Sequence, residues 1–395
     1  MISQADADIQ PLLKAAMTLV AADGLKGLSL RPLAERLGTT VSALSHRFGL
    51  KDALIAALID AAREADALFL DTWLARIRAL EVRDGALFAD LADAVLSDMA
   101  GPEALRTQFY CELVQGAATQ PEYAAPLADW KGRRLAFWHA ASEGLDQADL
   151  GDILHAFSTD EAAHGLAIGD LAAYRWLRRL NLHRLCRGLI APADAPDMRQ
   201  FEIFHAALGA PFAASGRYRP PELSEWQAKA AHHISALIIS GGSDAITHRA
   251  IAARAGVANS TLAYHFPRQE DLLKAGLNDI IARIDGVIHA PEEMRDTERY
   301  ELTSVEVARA TFAIALAATR MPDLKTVAAD MRRRRGENLL VQLNRETRDA
   351  PFDLLAAQAV SVTGIGQLML DATLDPTGAP AFILTSRMTA TAAIR

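Results

Sequence analysis

Residues 246–272 read ITHRAIAARAGVANSTLAYHFPRQEDL. Thr247 is placed to cap a helix whose apolar residues, Ala250, Ile251 and Ala255, recur three to four apart and share one face. Gly256 follows directly, and glycine readily takes the left-handed conformation that ends a helix in a tight turn. A second short helix is predicted from Asn259 to His265, stopped at Phe266-Pro267 because proline disfavours helix in the residue before it. Leu262 and Phe266 make its buried edge, which leaves Asn259, Thr261, Tyr264 and His265 on faces that can meet nucleic acid. Two helices about a glycine-containing turn are the physical content of a helix-turn-helix, whose second helix lies in the major groove.

The pattern occurs twice. Residues 28–54, LSLRPLAERLGTTVSALSHRFGLKDAL, align with it without a gap at a constant offset of 218. Arg31 pairs with Arg249, Ala34 with Ala252, Gly38 with Gly256, Leu44 with Leu262, Phe48 with Phe266 and His46 with Tyr264. The register extends upstream to Gly24 and Gly242, so a whole three-helix unit is duplicated.

These residues resemble the TetR/AcrR family of bacterial transcriptional regulators, most closely over RAIAARAGVANSTLAYHFPRQEDLL in the second copy. The resemblance covers about fifty residues in each copy and is weak beyond them. It implies an all-α fold of two TetR-like halves, each a three-helix DNA-binding head followed by a helical body for effector binding and dimerisation. One chain would then form an intramolecular pseudo-dimer, with a further homodimer left open. The implied partners are a double-stranded DNA operator with dissimilar half-sites and a small apolar effector. Thr39, Thr40, Ser42, Asn259 and Thr261 open the recognition helices and are candidates for base edges, with helix capping an equal reading for Thr40 and Asn259. Arg47, Lys51 and Arg268 are candidate phosphate contacts, and His46, Tyr264 and His265 complete the expected DNA face. The chain departs from the family where a tyrosine usually follows the recognition-helix leucine: here stand Ser45 and Ala263. The family's histidine is kept as His265 but is Arg47 in the first copy, and its lysine is kept as Lys51 but is Gln269 in the second.

Charge agrees with a local rather than a general nucleic-acid surface. The net charge is −8, yet residues 28–54 carry +2 and residues 246–272 carry +1. Two cysteines, Cys111 and Cys186, make no disulfide framework. The first residues lead into Asp6 and Asp8, unlike the basic start of a signal peptide, and no uninterrupted apolar run reaches membrane length. A cytoplasmic protein with no membrane association is expected.

The expected organisation is a first head at 1–54, a first body at 55–208, a proline-rich linker at 209–222, a second head at 223–272 and a second body at 273–395. A last short helix is expected after Pro380. Sixteen aromatics fall in 55–223 but only four in 273–395, so an effector pocket is expected in the first body. Phe109, Trp138, His155, Phe157 and His164 are its candidate lining, against the plainer reading that these rings fill core.

Other signals carry less. His155, Asp160, Glu161 and His164 lack a tight metal-ligand spacing, and neither a metal nor a cofactor is expected. Arg332 to Arg335 reads as a solvated helical face, with Asp330 pairing Arg334 and Arg333 pairing Glu337. Gly364-Ile365-Gly366 lacks the third glycine and the preceding strand of a dinucleotide site. No catalytic motif is present, so the expected function is a ligand-responsive repressor and not an enzyme. The second reading is a TetR-fold ligand-binding or interaction protein that has lost DNA binding.

Overall fold

The computed structural model describes residues 4–372 apart from 50, 118–119, 121–122, 191–195, 215–222, 243–245, 290–303 and 347–351. Every element among the described residues is a helix. The first head contains α1 (Gln4–Asp23), a 3-10 turn (Leu25–Gly27), α2 (Leu30–Arg36) and α3 (Val41–Phe48). The first body follows as α4 (Lys51–Ala79), α5 (Gly85–Ala100), α6 (Ala104–Gly116), α7 (Ala124–Ser142), α8 (Leu150–Ile168), α9 (Ala172–Arg187) and α10 (Pro196–Ala214). The second head has α11 (Glu225–Gly241), α12 (His248–Ala255) and α13 (Asn259–His265). It continues into α14 (Gln269–His289), α15 (Ser304–Arg320), α16 (Lys325–Arg333), α17 (Glu337–Glu346) and α18 (Leu354–Ala372). Of the expected linker, residues 209–214 are still helical as the end of α10, and the rest lies outside the described residues, as does the expected helix after Pro380.

The halves do not keep separate cores. Leu33, Leu44 and Leu58 of the first half share one cluster with Phe312 and Met369 of the second. Ile251, Leu262 and Leu272 of the second head share another with Tyr174 and Phe201 of the first body. Trp138 and Phe157 join Phe352 and Val360 in a third. The principal seam is α8 against α18, and Gly366 is what lets them meet. A Cβ added there would lie 1.8 Å from the Ala156 carbonyl oxygen, so the two backbones touch. The Gly364-Ile365-Gly366 run is therefore a place where helices cross. α18 is also long and apolar enough to cross a membrane by length and composition alone, but most of it is buried in this seam.

The four-arginine run corrects the solvated-face reading. Arg332 is fully buried and Arg335 is 7 % exposed. Arg332 Nε donates to Glu161 Oε1 at 2.8 Å, and Arg335 Nη2 donates to Thr311 Oγ1 at 2.9 Å beside Asp160. The Tyr174 hydroxyl donates to the other Glu161 oxygen. The expected short-range pairs do form, Arg333 with Glu337 at 3.7 Å and Arg334 with Asp330 at 4.0 Å, and Arg333 lies against His205 of α10. Charge periodicity along α16 could not reveal that its other side meets consecutive acids of α8. Asp160 and Glu161 thus hold arginines, and no metal-ligating group of three or more His, Cys, Asp or Glu occurs among the described residues.

One consequence concerns acid stability. His155 on α8 is 6 % exposed, and its Nε2 has no hydrogen-bond partner among the described residues. Burial, reinforced by the nearby Arg134 and Lys131 charges, pushes its pKa from 6.5 down to about 3. The unfolded chain takes up this proton as the pH falls below 6.5, whereas the folded chain resists it. The stabilisation is complete above the unfolded value and is lost as pH falls toward the folded one. His155→Leu should therefore remove about 2 kcal/mol of the stability difference between neutral solution and about pH 5, read from urea unfolding.

Candidate nucleic-acid interface

Both heads fold around the features their sequences carry. Gly38 and Gly256 end the first helix of each motif at φ +63° and +67°, where a side chain would be strained. The Thr247 hydroxyl accepts the Ala250 N–H at 3.1 Å and caps α12. The Thr40 hydroxyl accepts the Ala43 N–H at 3.1 Å and caps α3. Of the two residues that read equally as cap or base contact, Thr40 is therefore a cap. Asn259 is the first residue of α13, and the cap position belongs to Ala258.

The second helix of each motif has one fully buried residue, Leu44 in α3 and Leu262 in α13. Phe48 at the end of α3 is partly buried against the first cluster, Ser45 and Ala263 are half-buried, and the remaining positions face solvent. Thr39, Thr40, Ser42, His46, Arg47 and Lys51 are exposed in the first head, as are Asn259, Thr261, Tyr264, His265 and Arg268 in the second. Tyr264 is 83 % exposed, although rings of its size normally bury most of their surface. Its ring meets His265 edge-on at 5.1 Å, and His265 in turn meets Trp226 of α11 at 4.9 Å. Trp226 thus braces α13. The first copy has Asp8 at that position, so the signal was a difference between the repeats. Gln269 replaces the family's lysine and donates instead to the Ile246 carbonyl at 2.9 Å, tying the head together.

The body grips both heads at the same place, the C-terminal carbonyls of their first helices. These carbonyls carry the negative end of the helix dipole, and those of Val20 and Ile238 also accept the capping N–H groups of Gly24 and Gly242. In the first head, Gln108 of α6 donates to the Ala21 carbonyl at 3.3 Å, and Arg320 of α15 donates to Val20 at 3.4 Å. In the second head, Gln115 of α6 donates to Ile238 at 3.4 Å. Arg309 of α15 donates there to Ser240 at 2.7 Å and also to Ile239. Arg309 additionally donates to the Gln115 carbonyl at 2.8 Å. Burial lowers the Arg309 pKa to about 10, which leaves it charged at neutral pH. The paired helices α6 and α15 form a crossbeam under the two heads. No local pattern marks these four residues in the sequence, because their partners lie far away in it.

Helix α4 carries the first head into the body, and Asp66 locks it there. Its carboxylate accepts from Arg106, Arg134 and the Trp130 indole at 2.7–3.1 Å. Burial alone would raise the Asp66 pKa, but these partners, Arg134 foremost, hold it below the usual value.

The candidate effector residues fill core. Phe109 packs edge-on against Trp130, while Trp138 and Phe157 share the third cluster. His164 Nδ1 lies 3.0 Å from the Asp160 carbonyl. The five are each at most 6 % exposed. The open cleft between the halves is lined elsewhere, by Ser97, Gly165, Arg178 and Thr319 among others.

Comparison with known proteins returns no match among curated sequences. The family model for bacterial regulatory proteins of the tetR family matches residues 12–58 and again residues 234–275. The two matches fall on the two heads, each reaching into the helix that leaves it. The chain therefore carries two tetR-like units in tandem, one at each head.

Proposed function

We propose that this chain is a ligand-responsive transcriptional repressor, cytoplasmic and not an enzyme, that reads DNA with both of its heads. The observation that carries the reading is that α3 and α13 each bury one leucine and leave Ser42, His46 and Arg47 of the one and Asn259, Thr261, Tyr264 and His265 of the other exposed. One chain then supplies what two identical subunits commonly supply, an intramolecular pseudo-dimer whose recognition helices enter successive major grooves about 34–36 Å apart. The helices differ, VSALSHRF against NSTLAYH, so the operator's half-sites should differ too. The crossbeam of α6 and α15 supports this reading because it gives the two heads a common mounting.

The test is fluorescence anisotropy with DNA from upstream of the chain's own coding sequence, across a series of salt concentrations. Affinity should fall steeply with salt, because cationic side chains release counterions from phosphates. Arg47→Ala should weaken binding by a similar factor on every sequence and reduce the slope of log K against log salt by about 1. Affinity independent of salt, or an unchanged slope in the variant, would assign Arg47 no phosphate contact. Absence of any DNA binding would leave the ligand-binding reading in its place.

A further inference from the structure

Between the halves lies a cleft of about 580 Å³, within the range of small-molecule sites. Its first-half wall comes from the ends of α5 and α8 and from α9, and its second-half wall from the end of α15 and the start of α16. Ala100, Leu166, Ala167, Ala318 and Pro322 supply apolar surface. The charged lining is Arg175, Arg178 and Lys325 against the single acid Asp170, an excess of cations in a chain whose net charge is −8.

Arg178 is built into this wall. It is 1 % exposed, with Nε held by Asp93 at 2.7 Å and Nη2 by Ser97 Oγ at 2.6 Å. Its remaining nitrogen, Nη1, lies 3.9 Å from where a Cβ on Gly165, a residue of the cleft wall, would stand. A guanidinium fixed in this way is pre-organised for a carboxylate. Across the cleft Lys325 pairs with Asp170, joining the second half to the first through an ion pair whose acid is 65 % exposed.

We propose that this cleft between the halves is the effector site, and that it takes a small organic acid, a carboxylate on an apolar body. The assignment deepens the ligand-responsive reading above and rests on it. The acid bonds to Arg178 Nη1 and competes with Asp170 for Lys325, which loosens the pair joining the halves. Its occupancy is felt at the first head through Thr319, which lines the cleft. Thr319 Oγ1 accepts from Gln108 Nε2 at 3.0 Å, and that same nitrogen donates to the Ala21 carbonyl at the end of α1. The adjacent Arg320 reaches both Glu112 and the Val20 carbonyl.

The test uses the full chain with octanoate and benzoate as probes, and octanamide, benzamide and inorganic phosphate as controls, by isothermal titration calorimetry. The acids should bind at least tenfold more tightly than the amides, and phosphate, which lacks an apolar body, should not bind. Lys325→Met and Arg175→Gln change exposed or half-exposed positions and should fold normally by melting temperature, yet each should weaken octanoate at least tenfold. Gln108→Leu, at the relay between Thr319 and the Ala21 carbonyl and outside the cleft lining, should keep octanoate binding but lose its effect on DNA affinity. Equal binding of acid and amide, no binding of either, or unaltered affinity in both charge variants would overturn the assignment. Octanoate that binds without changing DNA affinity would overturn the coupling through Thr319. A ligand-free chain that does not bind DNA would sink the regulatory reading while leaving the calorimetric test of the cleft intact.

Discussion

Gly366→Val is expected to cost more than about 3 kcal/mol and to abolish operator binding, though it lies in neither head. The reason is geometric. The added Cβ would fall 1.8 Å from the Ala156 carbonyl oxygen and 2.7 Å from the Ala156 carbonyl carbon. Both are backbone atoms of α8, so no rotamer change relieves the contact and α18 itself must move. Displacing α18 disturbs all three cores at once, because Met369, Leu355 and Val360 of this helix belong to one cluster each. Gly132 on α7 is the control, since a Cβ there meets nothing within 4 Å. Gly132→Ala should be neutral or gain about 0.5–1 kcal/mol from reduced chain entropy. Urea unfolding and anisotropy on the same preparations give both readouts. A Gly366→Val chain as stable as the parent would show that the seam does not hold the halves together.

The heads were legible because their signals are local. A capping hydroxyl, a left-handed glycine and a leucine–phenylalanine edge act within a few residues, so α13 runs from Asn259 to His265 as read from sequence. The repeat at an offset of 218 doubled that evidence and gave the tandem architecture. What holds the halves together was not legible, because it depends on contacts between distant segments. Arg332 and Glu161 are 171 positions apart, and Gln108 and Thr319 are 211 apart. Helical periodicity separates the faces of a helix but does not say which face meets another helix, so Arg332 and Arg335 read as solvated. The aromatic excess of the first body marks a large core, in which Phe109, Trp138 and Phe157 are buried. The cleft wall is instead made of glycine, alanine and charged residues, a composition that looks like ordinary surface.

Arg332→Ala should destabilise the chain by about 3–5 kcal/mol, because it strips the partner from a carboxylate with no route to water. Glu161 and Arg332 are both fully shielded. Burial pushes the Glu161 pKa up, but Arg332, aided by His164 and the Tyr174 hydroxyl, brings it below the usual value. Without the guanidinium the burial effect prevails, and Glu161 takes up a proton that it gives up on unfolding. A group whose folded pKa is raised loses stability as pH rises from its unfolded value through its folded one. The gap between parent and variant should therefore be smaller at about pH 5 than at about pH 8, while the His155 contribution, common to both, cancels. Glu161→Gln combined with Arg332→Met should recover much of the loss, because the amide oxygen still accepts from Tyr174 and no bare charge remains inside. A gap that does not change with pH, or a double variant no better than Arg332→Ala, would mean that lost packing of the long arginine side chain outweighs the stranded charge.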